Sequence, residues 1–214
     1  MVHVEEEVWE GVTPTEFSII KAYIDLMDEK PYSKIKVKEI VDRCGIARST
    51  FYVYYQDALD VLEKIEQSLL SRCRLYSHDE AVKYAATEVD PQFAAMVHWF
   101  EECLCSRNTL RALFGPNGDP YFGKRLCNNL RESFREMMDD DAAPNTKLRR
   151  LFVELQTDAY FGLMQYVVSM EDDDELVTAY EMAWVANSTR KAFGHHLLDN
   201  VDVPEEKRSE QEKE

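Results

Sequence analysis

The stretch Val37–Tyr55, VKEIVDRCGIARSTFYVYY, constrains the fold of this chain more than any other. Val37, Ile40, Val41 and Cys44 recur at i, i+3, i+4 and i+7, which puts them on one face of a short helix. Lys38, Glu39, Asp42 and Arg43 fall on the other face. Gly45 stands where a helix ends in a left-handed residue, a conformation that glycine adopts without a steric penalty. A second short helix follows. Its inward face is Ile46, Thr50 or Phe51, and Tyr54 or Tyr55, and Arg48, Ser49 and Tyr52 point outward. Two short helices around a glycine turn are the helix-turn-helix pattern, so this unit is expected to enter a DNA major groove. The rest of the chain is then expected to position and regulate it.

The remainder reads as all-α. Apolar residues make up 45% of 214, glycine and proline are sparse at seven each, and β-branched runs are few. Thr13-Pro14-Thr15-Glu16 is a helix start, with an N-cap, a proline at the first helical position and a glutamate three residues after the cap. That helix should run to about Glu29 before Pro31 stops it. Asp57 is placed to cap a long helix through Leu59, Leu62, Ile65 and Leu69. Further helices are expected over residues 79–89, from Pro91, over Asn108–Phe114, and from Asp119-Pro120 to Met137 or Met138. The run Gly115-Pro116-Asn117-Gly118 breaks the chain between the last two of these. Two long amphipathic helices, about 145–170 and 174–199, close the chain as antiparallel neighbours across an acidic turn, for about nine or ten helices in total. The organisation is an acidic, disordered start (1–12), a three-helix helix-turn-helix domain (13–56), a larger helical bundle domain (57–200) and a charged, disordered tail (201–214). No apolar run approaches the roughly 18 residues of a membrane span. The acidic start lacks the basic and apolar segments of a secretory signal. Five cysteines without framework spacing suit a reducing cytoplasm.

Charge is distributed unevenly. The chain carries a net charge of −16, which by itself opposes DNA binding. Between Lys30 and Thr50, however, six basic residues (Lys30, Lys34, Lys36, Lys38, Arg43, Arg48) face two acidic ones (Glu39, Asp42), a local +4 that leaves −20 on the rest. A basic tip on an acidic body favours one orientation on a nucleic acid.

Residues 13–70 resemble the DNA-binding domain of the TetR family of bacterial transcriptional regulators. The resemblance is carried by I-I-K-A in the first helix, V-K-E-I in the second, C-G-I-A-R-S-T-F-Y-V-Y-Y across the turn, and L-D-V-L after it. It implies an all-helical homodimer that meets a palindromic double-stranded DNA operator as a repressor. The C-terminal domain would dimerise through the last two helices and hold a small effector that releases the DNA. Lys38 then matches a residue that reaches bases or phosphates, and Arg48 and Ser49 match readers of base edges. Thr50, Tyr52 and Tyr54 match residues that touch phosphates, and Lys36 belongs to the same basic cluster. Phe51 and Tyr55 are assigned to the core. Four positions depart from the family pattern. Ala47 replaces a serine cap worth roughly 1 kcal/mol, Ala58 replaces a phosphate-gripping lysine, Gln56 is neutral, and Glu16 stands where a basic residue meets the backbone. Together they predict weaker or more salt-sensitive binding than is usual for the family. The text LFGPNGDPYF also resembles a segment of some C-terminal domains of the family.

Signs of catalysis are missing: no glycine-rich dinucleotide loop, Walker loop, HExxH pair or nucleophile elbow occurs, so neither an enzyme nor a cofactor is expected. Cys103 and Cys105, with His98 nearby, invite a metal or thiol-sensor reading. On a helix the two cysteines project about 200° apart, which opposes a shared ion. Many large side chains follow residue 80. Phe93, Val97, His98, Phe100, Phe122, Phe161 and Gln165 are the candidate lining of an effector pocket, though each also fits a helical core. A reading of a different class keeps the helix-turn-helix as a scaffold within a helical ligand-binding or protein-interaction module.

Overall fold

The computed structural model describes residues 9, 11–75, 81, 90–140, 145–170 and 177–198. The regular structure among them is helical. Residues 1–8 and 10, the helix expected over 79–89 (Ala81 apart), the acidic turn 171–174 and the tail 201–214 lie outside the described residues.

Helix α1 (Pro14–Glu29) starts as the sequence predicts, with the Thr13 hydroxyl accepting from the Glu16 N–H at 3.2 Å. A 3-10 turn, Tyr32–Lys34, leads to α2 (Val37–Cys44), which ends at Gly45 with φ +66°. Helix α3 is Arg48–Tyr54. Helix α4 (Ala58–Arg72) is capped by the Asp57 carboxylate, which accepts from Leu59 and Asp60 at 2.8 and 2.9 Å. These four helices close on Ile19, Tyr23, Ile40, Phe51, Leu62 and Ile65, all sealed from solvent. A core of large aliphatics and aromatics at these positions supplies the hydrophobic drive that short helices lack alone.

The larger part is built from α5 (Pro91–Cys105), α6 (Arg107–Phe114), α7 (Phe122–Asp140), α8 (Lys147–Ser169) and α9 (Ala179–Leu198). Helix α9 packs along α5 and α8 along α7, with α8 and α9 side by side. Trp99, Phe100, Phe134 and Tyr160 form one aromatic cluster with centroids 4.9–5.4 Å apart in mostly edge-on pairs. Two helix starts differ from the sequence expectation. Helix α7 begins at Phe122 rather than Asp119, because the Asp119 carboxylate first holds the Tyr121 N–H in a turn at 2.9 Å. Helix α9 begins after Thr178 rather than at Asp174. Thr178 and Glu181 form a reciprocal capping box, Thr178 N–H to Glu181 Oε2 at 2.8 Å and Glu181 N–H to the Thr178 hydroxyl at 3.2 Å.

The acidic start also holds a surprise. Trp9 is buried, its backbone carbonyl accepts from the Val12 N–H at 3.1 Å, and the Arg72 guanidinium lies 5.9 Å from its ring. An indole is costly to leave in water, and the seam between α1 and α6 accepts it.

Three ties join the N-terminal helices to the rest. The Tyr32 N–H donates to Asn117 O at 2.7 Å. Arg125 on α7 bridges Glu66 on α4 (2.6 Å) and Asp119 (2.7 Å). Burial pushes the Glu66 carboxyl up, against the pull of Arg125. Third, α1 packs on α6, whose Arg107 and Arg111 donate to the Val167, Val168 and Met170 carbonyls at the end of α8. The turn at Gly118 admits no side chain, since a Cβ there would lie 2.0 Å from Leu113 O.

The five cysteines are free thiols. Cys103 is buried beside Cys73 rather than paired with Cys105, and burial, reinforced by the Cys73 thiol, pushes its acidity down (its pKa up).

Two outcomes follow. Gly45→Ala meets no neighbour within 4 Å but keeps a left-handed φ, so it should cost about 1–2 kcal/mol in urea unfolding. Iodoacetamide at neutral pH should modify the half-buried Cys44, Cys105 and Cys127 in the native protein while Cys73 and Cys103 react only on unfolding, as read by peptide mass spectrometry.

Candidate nucleic-acid interface

The rotation of α3 about its axis is set by Phe51 and Tyr55, both buried as expected. With 3.6 residues per turn, this turns Arg48, Ser49, Tyr52 and Val53 to solvent. Thr50 and Tyr54 are half-buried on the flank, and Tyr54 packs against the core. The end of the helix is held from α4. Lys64 Nζ donates to Tyr54 O at 2.7 Å and sits 4.4 Å from the Tyr55 ring centroid. Arg48 lies along the helix, its guanidinium donating to the Tyr52 hydroxyl at 3.1 and 3.3 Å. Val53 was not singled out by the sequence pattern, which scored it neither as core nor as polar contact. It is nonetheless 78% exposed.

The basic cluster is smaller in effect than its count. Lys30 pairs with Glu39, whose carboxyl is held below the usual range first by that lysine and then by the Lys36 N–H. Arg43 pairs with Glu29 at 2.5 Å. Lys34, Lys36 and Lys38 are exposed and form no ion pair among the described residues, so they and Arg48 carry the outward positive field.

The departures at the tip now have structural partners. Glu16 accepts from the Tyr55 hydroxyl at 3.4 Å, tying the end of α3 to α1; the Tyr55 phenol is pushed up by burial and by that carboxylate. The Gln56 N–H donates to Asp60 Oδ2 at 2.7 Å. Asp57 and Asp60 place two carboxylates at the start of α4, where a helix N-terminus favours negative charge. Ala47 is the N-cap of α3 and gives it no side-chain bond.

The seven residues proposed to line an effector pocket are dispersed. Phe100 and Phe122 are fully buried, Phe100 stacked on Tyr160 at 5.4 Å. Phe93 meets Tyr180 edge-on at 5.2 Å. Val97 is half-buried against the core, and His98 lies beside Glu101 with Nδ1 3.6 Å from its carboxylate. Phe161 and Gln165 line an open groove of about 520 Å³ with Phe114 and the 115–120 turn. A polar group on α8 is more telling than any of the seven. Gln156 is fully buried on α8, one turn before Tyr160, and neither atom of its amide has a hydrogen-bond partner. Among the described residues no cluster of histidine, cysteine and carboxylates could hold a metal ion, and no helix is long and apolar enough to cross a membrane.

The fold is similar to known structures across nearly its whole length. The dihydroxyacetone kinase operon activator DhaS superposes with a TM-score of 0.55 at 15% identity, covering 87% of this chain and 97% of its own. The fatty acid degradation regulator FadR from Bacillus halodurans gives 0.49 at 17% identity, covering 90% and 99%. No curated protein matches the chain in sequence. Residues 19–64, which span α1 to α4 and hold the whole recognition unit, match the family model for bacterial regulatory proteins of the tetR family. By this match the N-terminal domain is of the tetR-family type.

Proposed function

We propose that the protein is a cytoplasmic transcriptional repressor that binds a palindromic double-stranded operator as a homodimer and is released by a small-molecule effector. Residues 13–56 read DNA, and residues 57–200 dimerise and hold the effector. The observation that carries this reading is the outward face of α3, with Arg48, Ser49 and Tyr52 exposed beside Lys36 and Lys38 on a basic tip. Ser49 and Arg48 supply donors for base edges, and Lys36, Lys38, Thr50, Tyr52 and Tyr54 supply backbone grips.

Dimerisation is supported by an unpartnered apolar face. The stripe expected on α8 divides into two. Phe152, Val153, Tyr160, Met164 and Val167 turn inward, and Leu151, Leu155 and Tyr166 lie in water on the other side, with Gly162 between them and nothing within 4 Å of its missing side chain. Tyr180, Trp184 and Val185 extend the exposed face along α9. Such a patch marks an interface, and two copies joined there make a four-helix seam.

An effector is supported by Gln156, since an unpaired buried amide costs about 1–3 kcal/mol per group until something bonds it. The cavity beside Tyr160 has only about 20 Å³, so an effector there must open the aromatic cluster. The fold likeness to an operon activator leaves the sign of regulation to be read by transcription in vitro. The scaffold reading draws support from Asp57 and Asp60, which would face phosphates.

Selection from random duplex DNA at low salt separates the two readings: a regulator enriches a palindrome, and a scaffold enriches nothing. On the selected duplex Arg48→Ala should relax base preference by about 1–3 kcal/mol at one position. Lys38→Ala should weaken all duplexes alike and lower the salt slope by about 1. Trp184→Glu should shift the protein to a monomer in sedimentation and remove DNA binding with it, because Trp184 is 61% exposed and contributes nothing to the subunit core. A variant that stays dimeric would overturn the proposed interface.

A further inference from the structure

On α3 the direction opposite Phe51 is occupied by two residues, Ser49 and Val53. At about 100° per residue they stand roughly 20° to either side of it, one turn apart on a single ridge. Arg48 and Tyr52 are set to the flank and bonded to each other. Any groove that receives α3 with Phe51 behind it therefore meets Ser49 and Val53 first.

Val53 has no role in the fold that would account for it. It is 78% exposed, the most exposed of the large apolar side chains among the described residues, and it lies outside the core cluster. A β-branched residue also disfavours a helix of only seven residues that already lacks an N-cap bond. Tyr52 beside it is half exposed. In a major groove only one group offers apolar surface at the base edges, the C5-methyl of thymine. The methyls of Val53 cannot donate or accept, so they discriminate by packing on that methyl and by desolvating polar edges at a cost.

We propose that Val53 is a specificity-determining residue that reads a thymine C5-methyl in each half-site, with the Ser49 hydroxyl bonding the neighbouring base edge. This rests on the DNA-binding reading given above and adds to it a base and an atom. Arg48 then sets preference at the edge of the half-site and Val53 at its centre.

The test uses the full-length protein and the duplex enriched by selection, remade with deoxyuridine in place of deoxythymidine at one position at a time. That change removes the methyl and leaves pairing intact. Wild type should lose roughly 3- to 5-fold in affinity at one thymine per half-site, the worth of one buried methyl group. Val53→Ala, on an exposed helix position where alanine favours the helix, should keep its melting temperature, bind the thymine duplex more weakly by a similar factor, and no longer distinguish the two duplexes. Wild type indifferent to uridine at every thymine overturns the proposal, as does a uridine penalty that persists unchanged in Val53→Ala. Both results require a duplex that binds, so they are distinct from failure of the DNA reading, which is a selection that enriches no sequence and overturns both.

Discussion

The burial of one phenyl ring governs what this molecule presents to a partner. Phe51 is the only residue within α3 that is fully enclosed, with Tyr55 tilted against it at 5.8 Å and Tyr52 edge-on at 5.5 Å. A helix of seven residues makes too few hydrogen bonds to persist alone. Its existence and its rotation both come from that ring's place in the buried core, which also holds Ile19, Ile40 and Ile65. Rotating α3 by one residue would withdraw Phe51 and expose a different set of side chains. The outward row is thus a consequence of core packing, and the clasp of Lys64 on Tyr54 and the Tyr55–Glu16 bond fix the same rotation from two sides.

Electrostatics at the tip works against the body only at short range. The Debye length is about 8 Å at physiological salt, so acidic groups on the distant body are screened from the lysines of the tip, and those that count are near it. Within the tip, Glu39 and Glu29 consume Lys30 and Arg43 in ion pairs that hold α1 and α2 together. Partly exposed pairs of this kind contribute little to stability, and their larger effect is to subtract two cations from the outward field. Lys34, Lys36, Lys38 and Arg48 remain.

Local rules were legible in the sequence because they depend on a few adjacent residues. Thr13, Asp57 and Gly45 act as the cap, cap and left-handed stop that their spacing implies. The Thr178–Glu181 box obeys the same rule and was masked by Leu176 and Val177, whose apolar character extended the helical pattern upstream. Contacts between distant residues were not legible. Glu16 looked like a missing phosphate grip and is the partner of Tyr55, 39 residues away. Helical spacing set Cys103 and Cys105 apart but could not show that Cys103 lies against Cys73. Periodicity marks Phe100, Phe122 and Phe161 as apolar without distinguishing a filled core from a cavity wall, and here two are core and one lines a groove.

Helix α6 is the packing link between the N-terminal helices and the larger part. It has eight residues, buries Thr109, Leu110, Ala112 and Leu113, and touches α1 on one side and α8 on another. Arg107 and Arg111 fasten it to the last carbonyls of α8, groups that a helix end leaves unpaired and that favour cations. Charge-assisted bonds of that kind resist sliding more than apolar packing does. The α1–α6 seam is the softer contact, since it contains a cavity of about 210 Å³ under Trp9.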